Sequence, residues 1–240
     1  MQIFFERILK MKKIGMIFSV ILLVLAGGIS CSAVSETDGG IFYSIEDGEA
    51  TVEGFNAAGT VMDIPETIEG CPVKYIADAA CRGNKAITEV RIPSSVTAVG
   101  EYAFAECPNL LKVSFADGAE KIGFSAFRDC SALMSVTLPG TLISIEDCGF
   151  YGCVMLGKLS VPESLIEIGV DVFMGCERLR LEVGNNAVAA EYAAKYDIPT
   201  SFTSSWSFTL LLLVVATILL AVLLYVLNRF VRKKRRQHKG

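Results

Sequence analysis

The sequence predicts an α/β solenoid built from 23-residue units and held at a membrane by one C-terminal helix. Three observations carry this. Apolar columns recur every 23 residues from Val90 onward, four times without an insertion. Within each unit an alternating stretch of strand spacing precedes a stretch with three- and four-residue spacings. An uninterrupted apolar run near the C-terminus is followed at once by a basic tail.

Taken in order, residues 1–33 are expected to be a secretory signal. Lys12 and Lys13 supply a basic n-region, Ile14 to Ala26 an apolar h-region, and Gly27, Gly28, Ser30, Ser32 and Ala33 the small residues of a cleavage site after Ala33. Met11 directly precedes the lysines and is an alternative start. Two other readings stay open: an uncleaved anchor, and lipidation at Cys31, against which Gly28 stands where a leucine is expected.

Residues 34–63 are expected to form an N-terminal β cap. IFYSIEDGEATVEG, from Ile41 to Gly54, reads as two strands joined by a turn at Asp47 and Gly48.

Residues 64–182 hold the repeats. Val90, Val113, Val136 and Leu159 share a column, as do Ile92, Phe115, Leu138 and Val161. Proline follows at Pro93, Pro139 and Pro162, with Ala116 the exception. Further columns are Val96, Ala119, Leu142 and Leu165, then Val99, Ile122, Ile145 and Ile168. Gly100, Gly123 and Gly169 keep one register that Glu146 breaks. Each unit ends on a phenylalanine (104, 127, 150, 173), a cysteine (107, 130, 153, 176) and a leucine (110, 133, 156, 179). A degenerate unit precedes them, with Val73, Ile76, Ala80, Asn84 and Ile87 in register. One unit cannot bury its own apolar face, so stacked coils must bury a common core. The alternating stretch is expected to form a parallel sheet on one side, and the later stretch a short helical turn on the other.

Residues 183–205 are expected to hold a C-terminal helical cap, the Ala-rich Ala187 to Tyr196, and a spacer. Residues 206–228 are the expected transmembrane helix. The apolar stretch from Trp206 to Leu227 carries no charge and is long enough for a hydrocarbon core of about 30 Å. Residues 229–240 carry seven Lys and Arg and no acid. The positive-inside rule puts them in the cytoplasm and the repeats outside, in a single-pass cell-membrane protein.

Between Val34 and Ser205 there are 25 Asp and Glu against 11 Lys and Arg, a net charge of −14. Phosphates would be repelled, which argues against nucleic acid. The only histidine is His238 in the tail, so the repeats have no Ser-His-Asp or Cys-His catalyst. The acidic residues scatter over variable positions, as on a solvated face. No enzyme, cofactor or metal site is expected. The column cysteines read as a buried thiol ladder, while Cys71 with Cys81 and Cys148 with Cys153 are the candidates for pairing in an oxidising exterior.

The pattern IP-x-x-V-x-x-IG-x-x-AF-x-x-C-x-x-L, read from Ile92 to Leu110, resembles the BspA-like, or Treponema pallidum-type, leucine-rich repeat. The stretches Ile64 to Ala80 and Ala189 to Pro199 resemble the lead-in and the ending common in that family. The resemblance implies a leucine-rich-repeat solenoid in a surface protein of a host-associated bacterium or protozoan, associated with adhesion and protein binding. It implies no ligand and carries no catalytic residues. The expected partner is a protein, from host or matrix or from the same cell's membrane, where a receptor-like module would pair with it. If a surface binds, the strand face is the expected place, with Arg91, Ser114, Thr137 and Ser160 pointing outward beside Glu89, Lys112, Ser135 and Lys158.

Overall fold

Parallel pairing joins residues 23 apart through the central units, so the sequence period is one turn of the solenoid. The structure, a computed structural model, describes residues 34–37, 39–56, 59–201 and 217. The expected signal segment, transmembrane helix and basic tail lie outside the described residues. Among the described residues no helix is long and apolar enough to cross a membrane.

The chain begins with β1 (Ser35–Glu36), β2 (Ile41–Glu46) and β3 (Glu49–Phe55). It continues through β4 (Val61–Asp63), β5 (Thr67–Ile68) and β6 (Cys71–Ile76). The repeats then supply two short strands per coil. These are β7 (Glu89–Ile92) and β8 (Ala98–Val99), β9 (Lys112–Phe115) and β10 (Lys121–Ile122), β11 (Ser135–Thr137) and β12 (Ser144–Ile145), and β13 (Lys158–Ser160) and β14 (Glu167–Ile168). The described part closes with β15 (Arg180–Glu182), helix α1 (Ala187–Lys195) and β16 (Thr200–Ser201).

The first wall is the expected parallel sheet, β4-β7-β9-β11, continued by a separate ladder β13-β15-β16. The chain of β6, β8, β10, β12 and β14 makes a second parallel wall. Here the structure corrects the sequence reading: no unit contains a helical turn. The stretch after each second strand is a tight turn with two residues at positive φ per coil, Tyr102 and Glu106, then Ser125 and Asp129, then Cys148 and Gly152. Left-handed backbone costs a non-glycine residue roughly 1–2 kcal/mol. It turns alternate amides along the solenoid axis, away from their own turn. Tyr102, Phe104 and Glu106 N–H donate to the carbonyls of Phe124, Ala126 and Arg128 one coil on, at 2.9, 2.8 and 2.7 Å. Ser125, Phe127 and Asp129 repeat the pattern to Asp147, Gly149 and Tyr151. A buried amide left without a partner costs about 1–3 kcal/mol, so the axial bonds offset the strain of the left-handed residues.

The core is a set of ladders. Phe104 and Phe127 stack 5.3 Å apart at 5°, Phe127 and Phe150 5.1 Å apart at 5°, and Phe150 and Phe173 5.7 Å apart at 13°. The cysteine column does more than fill space. Cys107, Cys130, Cys153 and Cys176 thiols reach the carbonyls of Cys81, Phe104, Phe127 and Phe150 in the preceding coil at 3.1–3.2 Å. Asn84, in the same column of the degenerate unit, donates from Nδ2 to Phe55 O at 3.1 Å. The glycine column is set by close approach: a Cβ at Gly123 would stand 2.8 Å from Val99 O. Where Glu146 replaces glycine, its carboxylate accepts from Phe124 N–H at 2.8 Å and pairs with Lys121 at 2.6 Å.

At the N-terminal end, β2 and β3 form a hairpin whose turn, Asp47 and Gly48, has both φ values positive, as a two-residue hairpin turn requires. β3 then pairs in parallel with β6, in the place a preceding coil would occupy. At the other end Asn186 links solenoid to helix. Its Oδ1 accepts from Ala189 N–H as the N-cap of α1, while Nδ2 donates to Leu165 O and Pro162 O. The axial amides of the last coil, Asp171 and Phe173, have no further coil to meet. The hydroxyls of Tyr196 and Tyr192 accept from them at 3.3 and 3.4 Å, and the Tyr192 ring stands edge-on to Phe173 at 6.0 Å.

Tyr192→Phe keeps the ring and removes the acceptor from a buried amide. It is expected to lower stability by about 1 kcal/mol in urea denaturation. A change no larger than that of an exposed substitution would mean that the hydroxyl does not serve the Phe173 amide.

Candidate binding surface

Alternation along each strand buries one side chain and exposes the next, so the first wall presents two outward rows. One row runs Glu89, Lys112, Ser135 and the other Arg91, Ser114, Thr137, each in direct register. Lys158 and Ser160 continue the rows on β13, paired with Arg180 and Glu182 on β15. The eight residues picked out from sequence thus lie on one face. Glu89 and Ser114 are half-buried and the other six exposed.

Four ion pairs join charges on this face. Arg91 reaches Asp63 at 3.2 Å and Glu89 at 3.1 Å, and Lys112 reaches the same Glu89 oxygen at 3.2 Å. Lys158 pairs with Glu182 at 2.7 Å. Asp63, Arg180 and Glu182 belong to the surface, and sequence reasoning passed over them. Asp63 lies 28 residues before Arg91 rather than 23, outside the regular period, so no column alignment would have found it. Hydrogen bonding from Lys112, and secondarily from Arg91, holds the Glu89 carboxyl below the usual glutamate range. A lowered value means the pairing is intact at neutral pH and is lost as pH falls through that lowered value.

The aromatic side chains that anchor many interfaces are absent from this wall. They lie on the turn edge. Arg82 sits over the Tyr102 ring at 5.2 Å and pairs with Glu106 at 2.6 Å, Tyr102 meets Phe124 edge-on at 5.3 Å, and Arg128 sits over Tyr151 at 4.7 Å. The signal was present in the variable columns, where Arg82, Arg128 and Tyr151 share one position.

The seven described cysteines, Cys71, Cys81, Cys148 and Cys153 among them, are free thiols. Burial pushes the Cys81 and Cys148 thiols up, away from the reactive thiolate. Among the described residues no group of three or more His, Cys, Asp or Glu is placed to hold a metal ion.

A pH titration of the Glu89 carboxyl by NMR is expected to give a midpoint below the ordinary glutamate range, and Lys112→Ala to move it upward. An unshifted midpoint in both proteins would show that the Glu89–Lys112 pair does not persist in solution.

A family model described as the BspA type leucine-rich repeat region matches residues 62–188 in six copies. Among solved structures the chain is similar to a leucine-rich-repeat protein of T. pallidum, at 25% identity and a TM-score of 0.54, over 62% of this chain and 71% of that one. It is also similar to a leucine-rich-repeat protein from Bacteroides ovatus, at 32% identity and a TM-score of 0.52, over 65% of this chain but only 40% of that one. No curated protein matches. With more than half of its length matched by that model, and the 23-residue coil behind the match, the chain belongs to the BspA-type leucine-rich-repeat family.

Proposed function

We propose that this is a cell-surface protein that binds a protein ligand through the first wall of its solenoid and is anchored by a C-terminal membrane helix. In this reading residues 1–33 are a signal, 34–63 and 183–205 cap the repeats of 64–182, 206–228 span the membrane, and 229–240 face the cytoplasm. The uncharged apolar run followed by seven cations supports the anchor. The hairpin and helix at the two ends take the places of absent coils, which supports their role as caps.

The observation that carries the binding reading is the wall itself. Glu89, Arg91, Lys112, Ser114, Ser135 and Thr137 stand in direct register on β7, β9 and β11, with charges of both signs, and Lys158 and Ser160 extend this polar surface on the separate ladder of β13. A surface of this kind selects its partner by charge and hydrogen-bond complementarity, which governs encounter and register more than raw affinity. The ligand is accordingly a polar protein surface of a host cell or matrix.

Purified residues 34–201 are expected to bind host cells or matrix proteins saturably at physiological salt. R91E, K112E and K158E together should abolish that binding, because they set new carboxylates beside Asp63, Glu89 and Glu182. Absence of binding across the panel would remove adhesion and turn the search to proteins of the same membrane.

A further inference from the structure

Large apolar side chains are not spread evenly over the outside of the solenoid. Among the described residues, the units of 23 beginning at Val90 and Val113 each expose one, Leu111 and Met134. The unit beginning at Val136 exposes Ile143 and Val154. The last, beginning at Leu159, exposes Ile166, Val170 and Met174, at 68, 54 and 52%. Ile166 lies directly beside Ile143 one coil back, joined by an N–H···O bond of 2.9 Å, so the stripe is continuous across two coils. All three sit around β14 and the turn that follows it, away from the first wall.

The position of the anchor gives this gradient a meaning. Only residues 202–205 separate Ser201 from Trp206, where the apolar run begins. Four extended residues reach at most about 14 Å. Coils are about 4.8 Å apart, so the apolar stripe lies on the coils nearest the bilayer, and the coil of β7 is roughly 15 Å farther out.

We infer that the last coil rests on the outer surface of the membrane that anchors it, with Ile166, Val170 and Met174 entering the interfacial layer. This rests on the anchoring reading above. Glu167 and Asp171 alternate with the apolar residues, which fits a zwitterionic headgroup layer, whose ammonium groups the carboxylates meet, and disfavours an anionic one.

Met134 and Met174 supply a matched pair for the test, 51 and 52% exposed. The full chain is reconstituted in phosphatidylcholine nanodiscs at one chain per disc, and peroxide oxidation of each thioether to sulfoxide is followed by mass spectrometry. Met174 is expected to oxidise several-fold more slowly than Met134, and I166E with V170E to bring the two rates together. Equal rates in a chain that still elutes with its disc after alkaline carbonate would overturn the docking and leave the anchor standing. A chain stripped from the disc by carbonate would overturn the anchor and the docking with it. Protection of Met174 that survives I166E and V170E would also overturn the proposal, since lipid would not be its cause.

Discussion

Axial hydrogen bonding between coils is the constraint on which the rest of this structure depends. A 23-residue coil is too small to enclose a core, and its backbone polar groups cannot all be satisfied within it. Three stretches of each coil therefore send amides or carbonyls to the next: the two parallel walls and the turn edge. Register cannot drift in one without breaking the others. This is why the columns run four units without an insertion, and why the phenylalanines stack within 13° of parallel. It also explains the cysteine column, whose thiols supply a donor to carbonyls inside the coil stack.

The same constraint sets what lies at the ends. A coil that stops leaves a row of orphan groups, and each end meets them by different chemistry. A hairpin strand provides a neighbouring backbone at one end. At the other, two tyrosine hydroxyls and one asparagine provide side-chain partners. Outward-facing positions are free of these demands. They carry a polar wall with ion-paired charges, a turn edge of arginines and aromatics, and an apolar stripe concentrated at the last coil.

Much of this was legible in the sequence, because the core columns repeat and each column has one physical role. Phe127, Cys130 and Leu133 are where the period places them, fully buried. The outward residues of the first wall followed from alternation alone. The turn edge was misread because Ile122, Ala126, Phe127 and Cys130 have the three- and four-residue spacing of a helix, and spacing does not record the sign of φ. Ser125 and Asp129 are left-handed there, and that reverses the direction of the hydrogen bonds. The ion pairs of Arg91 with Asp63 and Lys158 with Glu182 were hidden for another reason. They join residues 28 and 24 apart, near places where the period slips.

The most direct test of this account is amide hydrogen exchange across one turn edge, at Tyr102, Phe104, Glu106, Ser125, Phe127 and Asp129. Axial bonding predicts that these amides are protected to the same degree as those of β9 and open only with the solenoid as a whole. Exchange at the rate of a solvated surface turn, with β9 still protected, would mean that the coils are held together by their two walls alone and would contradict the account.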